Sequence, residues 1–156
     1  MMLHKSIRSL GAELGVQAMS LYRYFPSKAD LVDGLQDTIV DEIDWQPGTE
    51  PWLQMVEELA RAFRATLASH PRAIPVFSRP AATERTFELI EQVIGVLEHR
   101  GVPPSTAVHI FQVVLAFVVG HALWQYTPEG RRDVDDEFDF GLDALLIGIA
   151  AKAKSG

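Results

Sequence analysis

The chain has 156 residues, a net charge of −7, 47% apolar and 22% charged residues, and no cysteine. That length and apolar content support a buried core and exclude a disordered chain, while the absence of cysteine excludes a disulfide scaffold and cysteine-ligated zinc and fits a reducing cytosol. The charge is uneven: residues 1–28 carry Lys5, Arg8, Arg23 and Lys28 against Glu13 alone, so a polyanion would meet the amino-terminal head and not the acidic remainder.

In chain order, helical periodicity dominates and no alternating strand stands out, which predicts an all-α protein. Met1–Leu10 holds no apolar run of the kind a signal peptide needs. Ser6 is a candidate N-cap for a helix over Ile7–Leu14, with Ile7, Leu10 and Leu14 on one face and Gly15 to end it. A second short helix is expected over Gln17–Tyr24, stopped before Pro26. Ser27 then caps a third helix reaching Ile43, with Leu31, Leu35, Ile39 and Ile43 as its expected buried face. The segment Asp44–Pro51 reads as a hinge, dividing a head over 1–44 from a body over 51–156.

The body opens with a helix from Pro51, taken as its first position, to Ser69. Three prolines in His70–Ala81 allow only a short helical turn. Thr83 caps a helix to His99, ended by Gly101 and Pro103–Pro104; Ser105 caps the most apolar helix, running through Tyr126. Its central run, Val113–Leu123, is too short to span a membrane. A polar loop, Thr127–Asp136, precedes a last helix over Asp136–Lys152.

The first two helices have the spacing of a helix-turn-helix. Gly11 is small where the second helix crosses, Gly15 is the turn, and Leu10, Leu14, Val16, Leu21 and Tyr24 pin the pair. An ordinary pair of amphipathic helices shares some of these features. The residues that follow are more specific. Leu21-Tyr22-Arg23-Tyr24-Phe25, then Pro26, Ser27 and Lys28, resemble the recognition helix and capped third helix of the tetracycline-repressor (TetR) family of bacterial transcriptional regulators. Ser6–Val16 resembles the family's preceding helix and turn, and the body resembles its helical regulatory domain in helix order and length. The resemblance implies a helix-turn-helix head on a helical-bundle ligand-binding and dimerisation domain.

A recognition helix turns its N-terminal and outward residues to base edges in the major groove. Here those are Gln17, Ala18, Ser20 and Tyr22, with Arg23 at the flank. Gln17 suits adenine, and Ala18 or the tyrosine ring suits a thymine methyl. Arg8, Tyr24 and Lys28 are placed for phosphates, and the resemblance gives Tyr24 and Lys28 that role; Tyr24 equally fits a core position. Family members carry a further helix before the one starting near Ser6, where this sequence has Met1–Lys5. The expectation is a longer natural chain or a marginally ordered head.

In the body, the helix after Ser105 and the last helix are apolar enough to need cover on more than one side. Val114, Val118, Phe138, Leu142, Leu145, Leu146 and Ile149 are the expected surface of a four-helix homodimer interface, which the resemblance also implies. A ligand cavity is expected among Met55, Phe63, Phe77, Phe87, Phe111 and Phe117, with His109, Gln112, His121 and Trp124 as polar contacts; each also reads as plain packing. His109 and His121 lie too far apart on one helix to share a metal, so no metal and no cofactor is expected. No phosphate loop, nucleophile elbow or zinc-protease motif is present, which argues against an enzyme.

The sequence thus predicts a cytoplasmic, homodimeric regulator, with no membrane association, that binds a palindromic double-stranded DNA operator and is released by a small-molecule effector. A second reading is a helical ligand-binding and dimerisation module whose shortened head no longer binds DNA.

Overall fold

In the computed structural model, residues 26–79, 83–127, 130–131 and 135–154 are described. They form five α-helices: α1 (Lys28–Asp41), α2 (Trp52–Ser69), α3 (Glu84–His99), α4 (Pro104–Gln125) and α5 (Asp135–Ala153). A 3-10 turn, Ile74–Ser78, separates α2 from α3, and a two-residue antiparallel pair, Tyr126–Thr127 with Gly130–Arg131, joins α4 to α5. The expected polar loop therefore contains a tight hairpin.

Local chemistry fixes most helix ends. Ser27 accepts from Asp30 N at 3.1 Å, and Asp30 Oδ2 accepts from Ser27 N at 2.8 Å, a reciprocal capping box that starts α1. Thr83 caps α3 through Thr86 N. Gly101, at φ +86°, ends that helix in the left-handed region. Two starts differ from expectation, by one position and by two. Pro51 is the N-cap of α2 with extended ψ, and α4 begins at Pro104, so Ser105 lies inside the first turn. Proline is tolerated there because the first-turn N–H has no helical partner to lose.

The segment after α1 is held down. Trp45 is buried, and Arg100 donates to the carbonyls of Gly48 (2.6 Å) and Glu50 (2.5 Å) from the end of α3. Helix α4 is the spine: it packs on α2, α3, α5 and the 3-10 turn. By length and composition it is apolar enough to cross a membrane, but a central core helix has the same composition.

Helices α4 and α5 run antiparallel through an aromatic cluster. The Phe117 and Phe138 rings are 5.3 Å apart, His121 meets Phe138 edge-on at 5.2 Å, and the Arg64 guanidinium sits 4.2 Å from the centre of the Phe138 ring. Gly141 permits this approach: a Cβ there would come within 2.7 Å of the Phe117 ring.

Burial corrects two expectations. Val114, Val118, Phe138, Leu142, Leu146 and Ile149 are buried in the core of a single chain, so these six are not a dimer surface; Leu145 is half-buried beside them. The apolar side chains left outside on these helices are Val108, Val113, Leu115 and Trp124 of α4 and Phe140 and Ile147 of α5. On α1 the buried face is Val32, Gln36, Ile39 and Val40; of the expected set, Ile39 is buried, while Leu31, Leu35 and Ile43 are half-buried.

Neither His121 ring nitrogen has a hydrogen-bond partner among the described residues. Burial, then the nearby Arg64 charge, holds its pKa below the ordinary histidine value of 6.5, against the opposing pull of Glu137 and Asp135. A depressed histidine favours the folded state while neutral. That contribution is complete above the unfolded pKa and is lost as pH falls from about 6.5 towards the lower folded value. Urea unfolding at about pH 7.5 and about pH 5.5 should show a stability loss that is smaller in His121→Phe.

Candidate ligand cavity and its polar clamp

A cavity of about 330 Å³ lies beneath α1, walled by α2, the 3-10 turn, α3 and α4. Its size falls at the lower end of small-molecule sites. The wall is almost wholly apolar because it is built from the inward stripes of amphipathic helices: Val56, Ala60 and Phe63 from α2, and Leu89 and Val93 from α3. From α4 come Ile110, Val114 and Val118. Phe63 and Phe77 meet edge to face at 5.6 Å and 71°.

Helix α1 closes the cavity and is tied down by polar contacts along its length. Asp33 pairs with Arg79, whose guanidinium also donates to the Ala29 carbonyl at 3.1 Å. Gln36, 1% exposed, donates through Nε2 to the carbonyls of Val76 (2.7 Å) and Arg79 (3.0 Å). At the next residue, Asp37 Oδ1 accepts from the hydroxyls of Thr83 (2.5 Å) and Thr86 (3.3 Å). Asp41 pairs with Arg85, and Glu42, just past the helix, with His70. Exposed ion pairs are individually worth about 0–1 kcal/mol. Gln36 adds two buried bonds of about 1 kcal/mol each. The clamp is thus a sum of modest, breakable contacts.

Of the residues expected to bind a ligand, Phe63, Phe77, Phe111 and Gln112 line this cavity. Met55 is fully buried elsewhere in the core, and Phe117 and His121 belong to the aromatic cluster facing α5. Phe87 and His109 are exposed, and Trp124 is 72% exposed, so none of the three joins the wall. Gln36 and Arg79 went unrecognised. The signal for Gln36 was its place between Val32 and Val40, at i−4 and i+4 on one helical face.

For the DNA-contacting set, Lys28 is exposed in the first turn of α1. Arg8, Gln17, Ala18, Ser20, Tyr22, Arg23 and Tyr24 lie outside the described residues.

In a close-packed core, replacing a buried alanine by phenylalanine costs at least about 1–3 kcal/mol. Ala60 is 1% exposed and lines the cavity. Ala60→Phe should therefore cost under about 1 kcal/mol by denaturant unfolding, because its ring has space to enter.

Comparison with known proteins agrees with this architecture. Residues 46–127 match the family "Tetracyclin repressor-like, C-terminal domain", which takes in α2, α3, α4 and the 3-10 turn. Residues 5–35 match "Bacterial regulatory proteins, tetR family". The chain is 31% identical over 137 residues to the HTH-type transcriptional repressor DrrR1 of Streptomyces coeruleorubidus, covering 84% of this chain and 51% of that protein. It thus spans about half the length of that relative. Among solved structures, a TetR variant from Acinetobacter baumannii AYE in complex with minocycline superposes with a TM-score of 0.83 at 29% identity, covering 95% of this chain and 86% of the other. A protein described as a possible TetR family transcriptional regulator, from Streptomyces coelicolor A3(2), gives 0.78 at 28% identity, covering 94% and 89%.

Proposed function

This chain belongs to the tetracycline-repressor family of bacterial regulatory proteins, and on that premise we propose that it is a cytoplasmic, ligand-responsive DNA-binding transcriptional repressor working as a homodimer. One observation carries the reading. Helix α1 begins inside the segment that matches the family's DNA-binding part, residues 5–35. The same helix then supplies Gln36 and Val40 to the cavity wall, followed by Ile43 just beyond its end. A molecule entering the cavity therefore presses on the element that continues directly from the head.

In this reading Gln17, Ala18, Ser20 and Tyr22 face base edges with Arg23 at their flank, while Arg8, Tyr24 and Lys28 face the strands. Exposed Lys28 sits beside the N-terminus of α1, where both its charge and the helix dipole favour a phosphate. A single head reads a half-site, so a palindromic operator calls for two copies. The surface for the second copy is the face that burial leaves open. Val113, Gly120 and Trp124 follow one another at i, i+7 and i+11 on α4, as do Phe140, Ile147 and Ala151 on α5. Apolar stripes of this kind mark protein interfaces. A ligand acts on the operator only by binding two body conformations unequally, with the heads spaced for successive grooves in one of them.

Two measurements test this. Fluorescence anisotropy with the DNA upstream of the protein's own gene should show salt-dependent binding. Lys28→Ala should weaken it and shrink the logarithmic salt slope by about 1, whereas Tyr24→Phe should weaken it with the slope unchanged; unaltered affinity in both refutes the assignment. Separately, sedimentation should find a dimer for the parent chain and a monomer for the double variant Phe140→Glu, Ile147→Glu. A persistent dimer would place the interface elsewhere.

A further inference from the structure

Among the described residues that line the cavity, one buried side-chain atom lacks a hydrogen-bond partner. Gln36 is almost fully buried and lines the wall, yet no donor among the described residues reaches its Oε1. Its orientation is not arbitrary. Nε2 donates to two backbone carbonyls, so turning the amide over would set an oxygen against both of them. A buried acceptor left unmet costs free energy and calls for an explanation. Trp45, His121 and Gln125 also carry unmet buried atoms, but none of these residues lines the cavity.

The remaining polar side chains of the wall narrow the ligand's chemistry: Gln112, exposed to solvent, offers a neutral amide. The hydroxyl of Ser78 donates to the Pro75 carbonyl at 2.8 Å, and that of Thr86 donates to Asp37. Arg79 is the one ionisable side chain among the described lining residues, and it is committed to Asp33 and the Ala29 carbonyl. A carboxylate ligand would have to break that pair or stay unpaired in an apolar wall, and an unpaired buried charge is costly. The aromatic side chains Phe63, Phe77 and Phe111 offer ring faces and edges to a flat partner.

We infer that the cavity takes a neutral, flat aromatic molecule whose hydroxyl donates a hydrogen bond to Gln36 Oε1. This rests on reading the cavity as the effector site. The bond reaches α1 itself, at the residue that also holds the 3-10 turn, so this hydroxyl is the part of the ligand that bears on the head.

Calorimetric titration of the full chain with 2-naphthol, 2-methoxynaphthalene and 2-naphthoate tests it. The naphthol should bind about 10-fold more tightly than its methyl ether, because only the naphthol donates; the ether is the more apolar of the two, so apolar burial alone gives the opposite order. The naphthoate should bind more weakly than the naphthol. In Gln36→Leu the gap between naphthol and ether should close while binding of the ether persists. That variant also loses its bonds to the carbonyls of Val76 and Arg79, so the comparison on the unaltered chain decides the matter should the variant not fold. Equal affinity for naphthol and ether, a preference for the naphthoate, or binding of none of the three would overturn the inference. Anisotropy of the ligand-free protein on its upstream DNA reports separately on the regulator itself: failure there with naphthol selectivity intact would sink the regulatory reading and leave the chemistry of the cavity standing.

Discussion

The rest of the structure depends on how α1 is fastened over an apolar space. Asp33, Gln36, Asp37 and Asp41 lie at intervals of three, one and four along the helix and reach Arg79, two backbone carbonyls, the two threonines at the start of α3, and Arg85. Beneath this row the side chains of Val32, Ile39 and Val40 are buried. A helix held mainly by packing resists sliding because interiors are close-packed. A helix held over a cavity by exposed pairs of small individual worth can shift at modest cost. The 3-10 turn is the counterpart of the clamp. Carrying Pro75 and too short to become an α-helix, it presents the Val76 carbonyl to Gln36, and Arg79 just past it presents a second.

Much of the helical order was legible in the sequence because its signals are local. Ser27 with Asp30, Thr83, Gly101 and the prolines between α2 and α3 each set a boundary through their own backbone chemistry. What failed depended on direction. Helix α4 is apolar all round, so its sequence does not say which side meets the chain's own core and which side stays outside. Val114 and Val118 were therefore placed on the surface, when Val113 and Trp124 hold that position. On α1 the stripe containing Gln36 was passed over for one rotated by a residue, because a glutamine interrupts the apolar pattern. The cavity was harder still. Phe63, Phe77 and Phe111 line it while Phe87 and Phe117 do not, and composition does not distinguish them.

The two apolar features of the body have different physical roles. The cavity is concave, small and lined by a residue with one unmet buried acceptor, which suits a small molecule. The stripes on α4 and α5 are exposed, with Phe140 78% and Ile147 72% accessible, which suits a second helical surface. Both features meet on α4, whose Val114 and Val118 face inward while Val113 and Trp124 face outward. A shift of α1 over the cavity is thus referred to the same rigid helix that would hold the partner copy, as a change in head spacing requires.

The most direct measurement is the operator affinity of the double variant Arg79→Ala, Arg85→Ala, which removes both arginine anchors of α1. Neither residue lies in 5–35, the segment that matches the family of bacterial tetR regulatory proteins. If the clamp fixes where the heads stand, operator affinity should change by about 5-fold or more, a typical coupling between distant sites, while the variant remains a folded dimer. Unchanged operator affinity in a variant that has lost both anchors would contradict the clamp's role.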